Sequence, residues 1–524
     1  MSAPEITTGG LQRRQPRDVV VVLLDSLNRH MLGPYGGTEF ETPNLDRLAS
    51  RSVRFTNHHT GSLPCIPARH DLLVGTLDFP WKPWGSIEVW EDSVTALVRR
   101  AGNVATMLVS DHPHLFETGG ENYHTDFDGW EYVRGHEDDP WRTRADPTWI
   151  GTPALAARAA PFRRGYETSR TWFRDEADFP GPKTMVTAAG WLDRELGAER
   201  TDEERACLVV DEFDPHEPFD TPEPWASRYD PDWSGERLIW PPYASTAEQA
   251  GLSDREGRHI RSQYGAKLSM IDHWLGRLLD VVDRHDAWDS TAFIVCTDHG
   301  HYLGERGLWG KPAVPVYPEM GHIPLFIAWP GVGPRTCDAL TTTVDLHATL
   351  CDVFGVTPEH RVHGRSLVPL LAGETTSVRE WALCGVWGRE VHIADATRTL
   401  AKSPVDGNRP LSMFSNRWST MPVHAYPNLR LPRPDSRARL DNLPGTTVPV
   451  IRQPFDAGDA LPFWGLGRFH GDVLYDRGEV DATRAFQNLA ESDRDGVAEL
   501  TEMLVEAMRS IEAPAEQLER LGVS

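Results

Sequence analysis

The chain has 524 residues, enough for roughly three domains at ~150 residues each, or one large domain with a smaller companion. Its 53 basic and 77 acidic residues give a net charge of −24, which argues against nucleic acid or an anionic membrane as a partner and leaves room only for a local basic pocket. With 40% apolar and 25% charged residues, the composition is that of a folded globular protein able to bury a large core without covalent staples.

In chain order, residues 1–17 read as a polar tail. Arg13-Arg14 is followed by an apolar run, Val19 to Leu24, too short for an export signal or for a membrane span of ~20 residues, so a cytoplasmic protein is expected. That run ends at Asp25. Thr42-Pro43 reads as an N-cap with Pro at the first helical position, leading into Leu45 and Leu48. Further apolar runs are Thr106 to Val109 before Ser110-Asp111-His112, Cys207 to Val210 before Asp211, Phe293 to Cys296 before Thr297-Asp298-His299, and Pro324 to Trp329 before Pro330-Gly331. Between them Tyr264, Leu268, Ile271, Leu275, Leu278 and Val282 recur every three or four positions, which predicts an amphipathic helix.

Unbroken apolar strands separated by helices predict an α/β domain over 18–372, with a mostly parallel central sheet sandwiched by helices. Residues 373–524 read as a smaller α+β domain, with strand-like pieces in 390–402 and 472–475 and a helix over about 496–511. Ligands of such sheets bind beyond the carboxyl ends of the strands. There the sequence sets Asp25, Asp111, His112, His114, His216, Asp298 and His299.

The six cysteines contain no CxxC pair, and Cys207 and Cys296 lie in apolar strands as reduced core residues. The sharpest local signal is Cys65-Ile66-Pro67-Ala68-Arg69, whose spacing is too short for a thiol phosphatase loop; taken alone, it also fits a buried Cys at a turn. Around it stand Asp25-Ser26, Gly33-Pro34-Tyr35-Gly36, Thr42-Pro43-Asn44, Asp214-Pro215-His216-Glu217-Pro218, Thr297-Asp298-His299-Gly300, Lys311, His363-Gly364-Arg365-Ser366-Leu367 and Leu474-Tyr475-Asp476. In this order and spacing, from about residue 18 to 489, the chain resembles the formylglycine-dependent (type I) sulfatases of the alkaline phosphatase superfamily.

The resemblance implies an alkaline-phosphatase-like fold and a sulfuric ester hydrolase. Cys65 would be oxidised to Cα-formylglycine by a formylglycine-generating enzyme. In the hydrated aldehyde one hydroxyl attacks sulfur and the other releases sulfate by elimination. Cys65 is expected where a loop enters a helix, with Arg69 one turn along to hold a diol oxygen. Asp25, Asp298, His299 and residue 65 would bind one divalent metal; the oxygen-rich set favours Ca²⁺, with Mn²⁺ or Mg²⁺ as alternatives. His216 would protonate the leaving oxygen, Lys311 bind sulfate, and His114 act as base on the diol. His112 and His322 are further candidates for substrate contact.

Two departures stand out. The second carboxylate of an Asp-Asp pair is replaced by Ser26, as in the phosphonate monoester and phosphodiester hydrolases of the branch, which are the alternative reading. A Lys-x-His pair is replaced by His112-x-His114, which puts a titratable group where the family has a permanent cation. Trp81, Trp84 and Trp90 either stack on an aryl or sugar group or belong to the core. A non-catalytic anion-binding member is the third reading. The partner expected is a small sulfate ester, and a homo-oligomer is left open.

Overall fold

The computed structural model describes residues 15–523 except 118, 138, 149–163, 202, 406, 418–434, 462–468 and 478–486; most of the expected polar tail therefore lies outside the described residues. The central sheet is built from β1 (Asp18–Leu24), β2 (Val53–Phe55), β3 (Val104–Ser110), β4 (Gly129–Tyr132), β5 (Arg205–Glu212), β6 (Thr291–Cys296), β7 (Leu325–Ala328) and β8 (Arg335–Cys337). Their order across the sheet is β8-β2-β7-β6-β1-β5-β3-β4. All run parallel except β7, which is antiparallel to both neighbours. The α/β architecture expected from the apolar runs is present, and the 324–329 run is the one that enters reversed.

β1 shows why its apolar run is unbroken. Val19, Val21 and Leu23 face one side, against α1 (Cys65–Val74) and α4 (Val344–Phe354). Val20, Val22 and Leu24 face the other, against α2 (Pro180–Gly197) and α3 (Asp254–Arg284). Each face of the strand is removed from water, so alternation would leave polar groups buried. α3 is longer than the periodic stretch because Ser253 and Glu256 form a reciprocal capping box at its start. The expected Thr42 cap is not made. The helix Pro43–Ala49 does start there, but the Asp272 carboxylate, reaching over from α3, accepts from the backbone N–H of Asn44 at 3.0 Å and of Leu45 at 2.7 Å.

The C-terminal region forms a five-stranded sheet from 382–386, 391–394, 398–402, 473–476 and, on its edge, Ser62–Leu63 from the N-terminal part of the chain. Ser62 pairs with Gly385 and Leu63 with Val386, in parallel. Helix α5 (Arg494–Ser510) covers this sheet, with Leu500, Leu504 and Ala507 packed on Leu383, Ile393 and Leu400. The residues just before Cys65 thus belong to the C-terminal sheet, and those after it belong to a helix on the central sheet.

Candidate active site

The strands β1, β5 and β6 are adjacent and parallel, so their carboxyl ends deliver Asp25, Asp211 and Asp298 to one place. Cys65 is the first residue of α1, and only 3% of its surface is exposed. Ligand atoms of Asp25, Cys65, Asp298 and His299 lie within 4.8 Å of one another. Two carboxylates, an imidazole and residue 65 form an acidic donor set that suits a hard divalent cation. The four residues expected to share a metal are therefore brought together.

Arg69 sits one turn into α1, and its five N–H groups are all engaged. Nε and Nη2 bind the two oxygens of Asp211 at 3.0 and 2.8 Å, Nη2 also reaches Asp25 at 2.9 Å, and Nη1 reaches Asp298 at 2.6 Å and the Cys65 carbonyl at 3.1 Å. Arg69 thereby clamps three buried carboxylates together, a role the sequence did not announce. Asp211 was not among the expected site residues, although it ends an apolar strand as Asp25 does. Burial opposes the charge of Asp25, but Arg69, then His216 and His112, hold its carboxyl well below the usual range.

The lost second Asp has a local replacement. Ser26 adopts φ 62°, its N–H donates to Asp298 at 3.1 Å, and its hydroxyl donates to Asp25 at 2.8 Å. The hydroxyl orients the carboxylate without adding charge.

Four histidine rings surround Phe213: His216 stacked at 4.1 Å between centroids, and His136, His112 and His114 edge-on at 4.6, 4.7 and 6.3 Å. His112 Nε2 lies 3.5 Å from Asp25. His114 is gripped by Glu117 at Nδ1, with Glu137 3.2 Å from Nε2. Burial disfavours its charge, but Glu117 and Glu137 outweigh that and push it up to about 10. Both ring nitrogens of His114 thus face carboxylates, an environment that favours the charged ring. His322 does not join the cluster: it donates to the Thr56 carbonyl at 2.6 Å and stacks on His59.

His216 Nδ1 faces the Glu217 carbonyl at 2.7 Å, and Nε2 faces Lys311 Nζ at 2.5 Å. Burial lowers its pKa to about 4 in spite of Glu217. Glu217 is 3.7 Å from Lys311 and 3.1 Å from His301 Nε2, and it takes the Tyr243 hydroxyl. Glu217 lies inside a quoted motif and His301 directly follows another, but their types alone did not separate them from structural residues. A small cavity of about 50 Å³ joins His299 and Lys311 to Arg389, Glu390 and His392 of the C-terminal region.

The sulfatase family model matches residues 17–356, so the chain belongs to the sulfatase family. Among curated relatives, the choline-sulfatase of Rhizobium meliloti is 28% identical over 393 residues, covering 68% of this chain and 72% of that protein. The multifunctional alkaline phosphatase superfamily protein PehA of Trinickia caryophylli is 25% identical over 406 residues, covering 68% and 77%. The phosphonate monoester hydrolase of Agrobacterium radiobacter superposes with a TM-score of 0.64 at 19% identity, over 95% of this chain and 96% of that one, which shows the alkaline-phosphatase-like fold. The expected enzyme class stands, and the non-catalytic reading falls away. Among the described residues no helix is long and apolar enough to cross a membrane.

Proposed function

We propose that the chain hydrolyses a small sulfate monoester, with residue 65 oxidised to formylglycine as its nucleophile and one divalent cation, Ca²⁺ before Mn²⁺ or Mg²⁺, held by Asp25, Asp298, His299 and residue 65. The observation that carries this is the convergence of those four residues at the N-terminus of α1. A cation there would supply Lewis-acid stabilisation of negative oxygen.

The remaining steps belong to the chain's own groups. The first-turn N–H groups of α1 and its dipole favour negative charge at residue 65. His114, an imidazolium, and Lys311 offer positive charge to the sulfate oxygens. The Lys311 ammonium, held by Nε2 of His216 at 2.5 Å, would give a proton to the departing alcohol oxygen. Arg69 holds the three carboxylates together.

A phosphonate monoester or phosphodiester is the second reading, favoured by Ser26: one carboxylate fewer at the metal group changes the charge the site can balance. Peptide mass spectrometry of protein from its native source should find a hydrazide-reactive aldehyde at position 65. The metal-loaded enzyme should turn over sulfate monoesters faster than matched phosphate diesters and phosphonates. An alkylatable thiol at position 65 in fully active protein removes the nucleophile assignment, and the reverse substrate order selects the second reading.

A further inference from the structure

Glu137 stands in the histidine group although no motif singles it out. Its carboxylate lies 3.2 Å from His114 Nε2, and one of its oxygens is within 4.8 Å of ligand atoms of His216 and Glu217. Glu217 in turn is 3.7 Å from Lys311. The carboxylate therefore stands among the groups that the proposed reaction brings to the ester. Its side chain keeps 16% of its surface open to solvent, and that of His114 keeps 8%, so both can be reached from outside.

The placement is enforced from behind. Glu137 adopts φ 41°, in the left-handed region that residues other than Gly, Asn and Asp seldom enter. Its backbone N–H donates to His136 Nδ1 at 3.0 Å, which leaves the ring proton of His136 on Nε2, facing Asp214 at 2.6 Å. Asp214 is paired with Lys267 at 2.6 Å. Backbone strain of this kind persists only where the surroundings over-determine it, and it collects at functional sites.

Burial opposes the charge of Glu137, but His114 and then His216 outweigh that and hold its carboxyl below the usual range, so the group is ionised at neutral pH. His114 is faced by Glu117 and Glu137, and Lys311 by Glu217, which sets two cations against three carboxylates. A single negative charge on an ester can take its place among the donors of those cations. A second negative charge on the same ester would find no cation left and would meet Glu137, and like charges repel strongly where water is scarce. Sulfate monoesters, phosphate diesters and phosphonate monoesters each carry one negative charge. A phosphate monoester approaches two above its second pKa of ~6.

We propose that Glu137 is a specificity-determining residue, whose carboxylate restricts the site to esters with one negative charge and turns away phosphate monoesters. The inference rests on the ester hydrolase reading above and holds for either of its two substrate classes. The test uses the matured, metal-loaded enzyme at about pH 8, where phosphate monoesters are dianions. Three esters share one leaving group: nitrophenyl sulfate and methyl nitrophenyl phosphate, both monoanions, and nitrophenyl phosphate, the dianion. Wild type should favour the better monoanion over the dianion by about 100-fold or more in kcat/KM. Glu137→Gln should narrow that preference by about tenfold or more, through a rise in kcat/KM on the dianion. Glu137→Asn, also neutral and at ease in the left-handed region, takes its place if the first variant does not fold. A smaller wild-type preference, a narrower change in the folded variant, or a fall of all three rates together overturns the proposal and leaves the ester hydrolase reading intact. A wild type inert toward all three esters, with formylglycine and metal confirmed in the protein, overturns that reading and this inference with it.

Discussion

The ammonium of Lys311 donates a 2.5 Å hydrogen bond to Nε2 of His216. A lysine ammonium has no acceptor, so the imidazole must accept, and its own proton lies on Nδ1, toward the Glu217 carbonyl at 2.7 Å. His216 is thus neutral at physiological pH, in keeping with a pKa near 4. On the proposed mechanism the proton for a leaving oxygen would come from the Lys311 ammonium, with the neutral His216 ring holding that ammonium in place.

His216→Ala and Lys311→Met should therefore lower turnover of an alkyl sulfate by ~10²–10⁴-fold and that of a nitrophenyl sulfate far less, because a good leaving group departs without a proton. Steady-state rates on both esters check this. Equal losses on the two substrates would show that the pair binds sulfate and transfers no proton.

Asp298→Ala should remove bound metal and turnover together, read by elemental analysis and by activity. The far-ultraviolet circular dichroism should keep its native form, since the residue follows β6 and is not part of the strand. Unchanged metal content in the purified variant would refute the ligand assignment.

Asp211→Ala should be costly for a different reason. It strips Arg69, 1% exposed, of two of its hydrogen bonds and leaves that charge short of a partner. Removing one member of a buried ion pair costs about 3–5 kcal/mol, so the urea midpoint should fall well before any effect on metal affinity at saturating ion. A loss of unfolding free energy below about 1 kcal/mol would mean that Arg69 does not depend on Asp211.

His70 gives a pH prediction. Burial lowers its pKa, but Asp78 and Glu91 outweigh that and push it up to about 9, above the ~6.5 of an unfolded chain. The folded state thus binds the extra proton, and the stabilisation is complete below pH ~6.5 and is lost as pH rises through about 9. Thermal melting temperature should drop across that window, and His70→Gln should flatten the drop. An equal slope in the variant would assign it to other groups.

What could be read in the sequence was what depends on neighbours along the chain. Runs such as Val19 to Leu24 announced buried parallel strands, and the polar residue ending each run announced the site. Glu117, three positions from His114, was local too, but its residue type did not single it out. The partners that set the chemistry of these groups come from far away. Glu137 reaches His114 across a loop, Asp211 reaches Arg69 from another strand, and Asp272 caps a helix more than 200 positions earlier. Residue type alone placed His322 with the substrate, whereas pairing between His59 and His322 carries it elsewhere.

The edge strand Ser62–Leu63 imposes an order of events on synthesis. Its partner Gly385 lies 385 − 62 = 323 positions later, so the pairing beside Cys65 cannot close until that much more chain exists. At about 5–20 residues per second this is an interval of roughly 15–65 s. During it position 65 is held on one side only. Afterwards it is nearly sealed from solvent, with 3% of its surface left exposed. On the proposal that Cys65 is oxidised to formylglycine, the oxidising enzyme would work against that clock, and faster translation of the middle of the chain should leave a larger fraction of the protein with an unconverted thiol.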